Sequence, residues 1–574
     1  MPFLETGALL LTLGTVQGAP SPILKPCEVP GVGAARCGTY QVWENREARA
    51  GRKIGLTIVV IPAKRERARP DPIVFLHGGP GAPATGQAAG MAAGFAKLRE
   101  DHDILLVDQR GTGSSHPLNC DFGPPERLEA LTGDFFPLDK VRACRPELEK
   151  TADLTRYTTD VFADDLDEVR QALGYGPLDL FGGSYGTRAA LTFLRRHPKS
   201  VRTAILFGVS PPDEFYPLAF ARDAQRAFDG LLAECAAEAP CRAAFPGLDR
   251  DLASALERFA HGPLTVDVMH PKTGEPASFA LSRDLFAEGL RYMLYSPSVA
   301  GYVPAVVHGA SQGELGPAAE QALSARVQIV RGVSHGLYLS ITCAEDVPWI
   351  DPGRAEALAA GTFLGDYRYR QQSAACREWP RAKVPADWSA PVRTEAPVLL
   401  ISGELDPVTT PANGEKVAAT LPNAGHVIVP HGGHQRDGLL GDDCIYSLMD
   451  EFIRTGSARE LDVSCVAKIA RPPFPTKLPE TRVVRLSEAE TARFAGRYAA
   501  TDPPVEVMVA LEGGRLKLDF FGREFLLAPT GAGRFRIVGA PLGFGVSFEE
   551  KDGAVVGLSV EQGASPPLRL PRKG

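Results

Sequence analysis

Ser184 sits in the run Gly182-Gly183-Ser184-Tyr185-Gly186, directly after the apolar segment Pro177-Leu178-Asp179-Leu180-Phe181. A serine hydroxyl is a poor nucleophile until a neighbouring base takes its proton. A sharp turn from strand to helix is one way to lift such a hydroxyl clear of a sheet. Glycines two positions before and two after the serine keep that turn free of colliding side chains. With 59 glycines in 574 residues the pattern carries little weight alone, so its surroundings decide.

Two more apolar runs end in glycine-rich loops. Asp71-Pro72-Ile73-Val74-Phe75-Leu76 leads into His77-Gly78-Gly79-Pro80-Gly81, and Ile104-Leu105-Leu106-Val107 leads into Asp108-Gln109-Arg110-Gly111-Thr112-Gly113. Short, continuously aliphatic runs of this kind read as central strands of a parallel sheet. In such sheets the working residues gather at the carboxyl ends of the strands, so three loops reach one edge. The stretch from Leu154 to Leu173 has helical apolar spacing and supplies the crossover to the strand before Ser184.

Together these loops resemble the α/β-hydrolase family of proline iminopeptidases and tripeptidyl aminopeptidases, over roughly residues 25 to 470. Proline iminopeptidases usually carry Trp after the nucleophile, and Tyr185 is more like the tripeptidyl aminopeptidase branch. The resemblance implies an α/β fold, the α/β-hydrolase fold with a helical cap insertion, and a triad in the order Ser, acid, His. Ser184 is then the nucleophile. Family members hold their acid in a Gly-x-x-Asp loop, which matches Asp406 after the run Val398 to Ile401, with Glu404 as the neighbouring alternative. They place the base directly after a glycine, which matches His434 in Pro430-His431-Gly432-Gly433-His434, with His431 as its rival.

A tetrahedral oxyanion needs preorganised N–H donors. The amide of Tyr185 supplies one, and the resemblance implies Gly79 for the other. Asp108 and Arg110 are expected to form an ion pair that holds the adjoining loop. An aminopeptidase needs carboxylates for a free α-amino group. Glu345, in Thr342-Cys343-Ala344-Glu345-Asp346, resembles a Cys-x-Glu-Asp segment of the tripeptidyl relatives, with Asp346 and Glu214 behind it; solvated surface acids fit the sequence equally well. No His-Glu-x-x-His and no Cys/His cluster with ligand spacing occurs, so neither metal nor cofactor is expected.

Apolar content of 44%, charged content of 23% and a formal charge of −7 describe an ordinary globular enzyme. No basic stripe points to nucleic acid. The segment Ala8 to Val16 followed by Gln17-Gly18-Ala19-Pro20-Ser21 resembles a signal peptide without its basic start, and is too short to span a bilayer. Ten cysteines in near-neighbour positions, none as Cys-x-x-Cys, suit five local disulfides in an oxidising compartment. Sequential pairing gives Cys27–Cys37, Cys120–Cys144, Cys235–Cys241, Cys343–Cys376 and Cys444–Cys465.

The domain reading is a signal peptide at 1–19, the first part of the core at 20–212, a helical cap at 213–391, the second part of the core at 392–470 and a Pro-rich linker at 471–480. At 481–574 follows a C-terminal β domain of short strands and glycine turns, similar to lipocalin-like modules. The expected function is a secreted or periplasmic serine exopeptidase acting near a free N-terminus of a peptide substrate. An esterase or small-molecule amidase with the same triad is the alternative. Nothing in the sequence indicates oligomeric state.

Overall fold

The computed structural model describes residues 23–501, 504–520 and 523–573. The expected signal peptide at 1–19 lies outside them. Nine strands form the central sheet. They are β1 (Leu24–Val29), β2 (Gly33–Trp43), β3 (Lys53–Ile61), β4 (Ile73–Leu76), β5 (Ile104–Val107), β6 (Leu178–Gly183), β7 (Val201–Phe207), β10 (Val398–Gly403) and β11 (Ala424–Val429). Their spatial order is β1-β2-β3-β5-β4-β6-β7-β10-β11. The first three pair antiparallel, and β3 pairs antiparallel with β5; from β5 onward every pairing is parallel.

The parallel strands are apolar on both faces because helices cover both. All four residues of β4 and all four of β5 are buried. One face packs on the crossover helix Thr159–Ala172 and the elbow helix Tyr185–Arg196, through Phe162, Leu166, Ala190 and Phe193. The other packs on Ala88–Gly94 and Asp443–Thr455, through Met91, Leu448 and Phe452. Each fully buried aliphatic side chain contributes about 1.5–3 kcal/mol. The sheet is thereby a stiff base whose strand ends are fixed.

Between β7 and β10 the chain leaves the sheet and builds the cap. Helices Phe220–Ala237, Arg283–Met293, Val303–Ser311, Gly316–Gly332, His335–Glu345 and Tyr367–Glu378 dominate it. The cap also contains a two-stranded hairpin, β8 (Leu264–Met269) with β9 (Pro276–Leu281), where the sequence suggested helices throughout. The run Leu264-Thr265-Val266-Asp267-Val268 alternates with period two, which is the signal that a helical reading of the cap passes over.

The C-terminal domain is a closed barrel of eight strands: β12 (Gly496–Thr501), β13 (Pro504–Glu512), β14 (Arg515–Phe520), β15 (Arg523–Gly531), β16 (Arg534–Ile537), β17 (Phe544–Lys551), β18 (Ala554–Gln562) and β19 (Ser565–Lys573). Phe494, Tyr498, Phe535 and Phe548 fill its interior. It docks on the cap. Ala564 N–H donates to the Ser298 carbonyl at 2.9 Å, Ser324 Oγ to the Gly539 carbonyl at 2.7 Å, and Leu542 N–H to Gln321 Oε1 at 3.0 Å.

All ten cysteines are paired, in the sequential order expected. Cys343–Cys376 ties two cap helices, and Cys27–Cys37 ties β1 to β2. Among the described residues no helix is long and apolar enough to cross a membrane.

Candidate active site

The turn at Ser184 joins the end of β6 to the helix Tyr185–Arg196. Its backbone lies at φ 56°, ψ −126°, in a region that L-residues adopt only when their surroundings hold them there. Its N–H donates to the Phe207 carbonyl at 2.9 Å, and its own carbonyl accepts from Thr187 N–H at 2.9 Å and Thr187 Oγ1 at 2.7 Å. The flanking glycines are required by space. A Cβ on Gly182 would stand 2.6 Å from the Gly186 carbonyl oxygen, and one on Gly186 would overlap the Leu76 carbonyl. The elbow is locked from both sides.

β10 delivers Asp406, which is fully buried. Its Oδ1 accepts Val408 N–H and Thr409 N–H, both at 2.8 Å, and its Oδ2 accepts Thr409 Oγ1 at 2.7 Å. The loop after β11 delivers His434, whose Nδ1 lies 2.8 Å from Asp406 Oδ2 and 3.0 Å from Thr409 Oγ1. Burial pushes the Asp406 carboxyl up, but the His434 imidazole and the donors from Thr409 outweigh it and hold the carboxyl below its usual range. With Nδ1 so engaged, Nε2 is the His434 nitrogen left for chemistry.

The two rivals lie elsewhere. His431 Nδ1 is 2.7 Å from Glu234 Oε1 on the cap helix Phe220–Ala237, and the His431 amide donates to Glu404 Oε2 at 2.9 Å. Hydrogen bonding to Glu234 raises the His431 pKa, and neither His431 nor Glu404 lines the cavity that holds Ser184.

That cavity has a volume of about 760 Å³. Ser184, His434, His77 and Gly79 line it from the core, and Phe135, Phe220, Arg291, Tyr295 and Arg368 line it from the loops and cap above. Burial holds His77 neutral, with its pKa lowered to about 4. Among the described residues, neither Gly79 N–H nor Tyr185 N–H has a protein acceptor. Both amides are therefore free to donate to an oxyanion.

None of the three acids expected to bind a substrate amine lines this cavity. Glu345 Oε1 accepts Thr159 N–H and Oε2 accepts Thr159 Oγ1, each at 2.7 Å. Burial raises the Glu345 pKa to about 7. Asp346 forms a buried ion pair with Arg188 at 2.8 Å and accepts Tyr216 N–H at 3.0 Å. Glu214 meets the same Arg188 through its backbone carbonyl. Glu345 and Arg188 face a second cavity of about 330 Å³, behind the elbow helix. The sequence segment resembled that of the relatives, but burial on the far side of that helix commits Glu345 to Thr159 and Asp346 to Arg188.

Asp108 and Arg110 do not pair either. Asp108 accepts Thr85 N–H at 2.8 Å and Thr85 Oγ1 at 2.9 Å, while Arg110 grips Asp165 at 2.6 and 2.8 Å. Each side chain instead ties the loop to a different neighbour. Sequence reasoning also missed Tyr295, Arg291 and Arg368. They lie on cap helices or their ends, with no motif around them. Thr409, which bridges Asp406 and His434, was visible only as part of the acid loop.

Among the described residues, two groups of side chains place ligand-type atoms within 4.8 Å of one another: Asp71, His102 and Asp179, and Glu234, Glu404 and His431. In each an arginine already neutralises a carboxylate, Arg202 for Asp71 and Asp179 and Arg471 for Glu234. A cation would have to displace these guanidiniums.

The sheet, the elbow and the ordered acid and histidine loops define the α/β-hydrolase fold. A family model described as the alpha/beta hydrolase fold matches residues 71–237, which hold the His77 loop and the elbow. A second, described as TAP-like protein, matches residues 361–465, which hold Asp406 and His434. Serine protease Hip1 of Mycobacterium tuberculosis (strain H37Rv) is 26% identical over 470 residues, covering 75% of this chain and 88% of that protein. YuaR of Escherichia coli K12, named as a hydrolase, is 29% identical over 282 residues; the match spans 48% of this chain and 54% of YuaR, about half its length. Proline iminopeptidase of Neisseria gonorrhoeae is 31% identical over 147 residues, 25% of this chain and 35% of that one. A solved proline iminopeptidase from Mycobacterium smegmatis aligns at 16% identity with a TM-score of 0.33, over 73% of this chain and 98% of that one; likeness at that level carries no argument about activity.

Proposed function

We propose that this chain is an exported serine peptidase that cleaves peptide bonds near a free N-terminus, with Ser184, His434 and Asp406 as its triad. The observation that carries the reading is the 2.8 Å contact between a buried Asp406 and His434, on the rim of the cavity that also holds the strained Ser184. Relatives named serine protease and proline iminopeptidase support a peptide as substrate. The five disulfides support an oxidising compartment.

Ser184 Oγ attacks the scissile carbonyl carbon as its proton passes to His434 Nε2. The oxyanion formed accepts hydrogen bonds from the Gly79 and Tyr185 amides. Asp406 fixes the imidazole tautomer and stabilises its cation. Collapse breaks the C–N bond, and the amine leaves with the proton from His434. Water then attacks the acyl ester, gives its proton to the same nitrogen, and Ser184 is restored when the acid departs.

An esterase or small-molecule amidase is the second reading, favoured by one observation. None of Glu345, Asp346 and Glu214 lines the Ser184 cavity, and the carboxylates that do are already engaged: Asp437 accepts the Ser296 and Ser298 hydroxyls, and Asp442 accepts Arg436 Nη1. A peptide-library digest read by mass spectrometry, with free and N-acetylated versions of each peptide, separates the two. The peptidase reading predicts release of N-terminal fragments from free peptides and strong loss on acetylation. Equal cleavage of both versions, or cleavage of esters only, favours the second.

A further inference from the structure

The cap end of the Ser184 cavity carries more positive charge than the protein neutralises. Arg291 and Arg368 both line the cavity and are 1% and 4% exposed. Arg326, 5% exposed, stands behind them, with its guanidinium 5.0 Å from the Phe135 ring that Arg368 covers at 3.8 Å from the other direction. Among the described residues the one carboxylate paired with this group is Glu288, whose Oε2 accepts Arg368 Nη1 at 3.2 Å. Three buried guanidiniums thus face one carboxylate.

Among the described residues, their donors are correspondingly unfilled. Arg291 gives Nη2 to the Tyr295 hydroxyl at 2.8 Å and leaves Nε and Nη1 without acceptors. Nε of Arg368 and Nε of Arg326 have none, and Arg368 Nη2 makes no hydrogen bond. Aromatic rings cover the flat faces: Phe220 lies 4.4 Å from the Arg291 guanidinium and Tyr295 5.3 Å. Ring faces stabilise a cation but accept none of its in-plane hydrogen bonds. A buried charge without a counter-charge is costly, and a buried donor without an acceptor adds to that cost. A carboxylate entering the cavity supplies the counter-charge this group lacks, and Arg368 Nη2 is the unfilled donor that is not sealed from solvent and can meet it.

We propose that Arg291 and Arg368 form a carboxylate subsite, so that the preferred substrates carry an acidic group close to the bond cleaved. The proposal rests on the reading of Ser184 and His434 as catalytic. Distance fixes which part of the substrate is meant. The Tyr295 ring lies 5.0 Å from the His434 ring and 5.3 Å from the Arg291 guanidinium, so one tyrosine separates the subsite from the base. A residue advances an extended chain by about 3.3–3.6 Å. The carboxylate therefore belongs to a residue within about two positions of the scissile bond, as an acidic side chain or as the free C-terminus of a short peptide.

The test compares kcat/KM for peptide pairs that differ only in Glu against Gln beside the cleaved bond, and for short peptides with a free against an amidated C-terminus. All keep the same free N-terminus. The acid member of at least one pair is expected to be faster by roughly tenfold to a hundredfold, and the series that shows it names the source of the carboxylate. That ratio should fall toward one in Arg291→Met and Arg368→Met. Ratios near one in every pair, with the peptides still cleaved, overturn the subsite and leave the peptidase reading standing; so does a preference that survives both substitutions. If no peptide is cleaved, the peptidase reading fails and the subsite is still tested by fluorophosphonate labelling of Ser184 in the wild-type protein. Slowing by glutarate but not by glutaramide supports it, and equal slowing or none overturns it.

Discussion

The ring of Tyr295 meets the His434 imidazole edge-on, with centroids 5.0 Å apart, and the Tyr295 carbonyl accepts the Gln435 amide at 2.7 Å. The cap therefore touches the histidine that Asp406 holds from the core, and the base loop is fixed by core and cap together. An edge-to-face pair is worth about 0.5–1.5 kcal/mol beyond its buried area. Tyr295→Leu should lower kcat by up to about tenfold, with the backbone bond to Gln435 retained. Steady-state kinetics on a peptide amide check this; an unchanged kcat would mean that the core alone holds the imidazole.

Asp406→Asn keeps the size of the side chain but removes the charge and can present an N–H to His434 Nδ1. The wrong tautomer then faces Ser184. A fall in kcat of roughly 10⁴-fold is expected, with the far-ultraviolet spectrum and melting behaviour of a folded chain. Loss of less than tenfold would assign the acid role elsewhere.

Glu345 has a consequence for stability. Its folded pKa, about 7, lies above its ordinary value of 4.5. Between those pH values the folded chain holds a proton that the unfolded chain has released, so stability falls as pH rises through this window and levels above it. Glu345→Gln should remove that fall and be more stable than wild type at pH 8 by about 3 kcal/mol. Urea unfolding of both proteins at pH 5 and pH 8 measures the difference, and an equal pH dependence in the two proteins contradicts the account.

Cys343–Cys376 closes a loop with a sequence separation of 33 across two cap helices. A bond of that span contributes about 3–4 kcal/mol. Cys343→Ser with Cys376→Ser should lower the free energy of unfolding by that amount, and native protein should titrate no free thiol before reduction. Ten free thiols in native protein would refute the disulfide framework.

The elbow and its two companion loops were legible because each is a local signal: an apolar run, then glycines that space or backbone geometry requires. The disulfides were legible for the same reason, since near neighbours in sequence close short loops. The cap was legible as a helical insertion, but its side of the site was not. Arg291, Arg368 and Tyr295 reach the site through helix packing, which no spacing rule in one sequence encodes. Glu345 shows the limit of a local motif. Its local motif resembled a substrate-binding segment, yet its position behind the elbow helix turns it toward Thr159. In the C-terminal domain, short strands between glycine turns were legible, but closure into an eight-stranded barrel was not, because it depends on β12 pairing with β19 at the far end of the domain.

Reaction of the wild-type protein with a fluorophosphonate, followed by peptide mapping and by turnover of a peptide amide, tests the central claim most directly. The account predicts one adduct, on Ser184, with complete loss of turnover, and neither adduct nor turnover in Ser184→Ala. Turnover retained by Ser184→Ala, or an adduct on another residue, would contradict it.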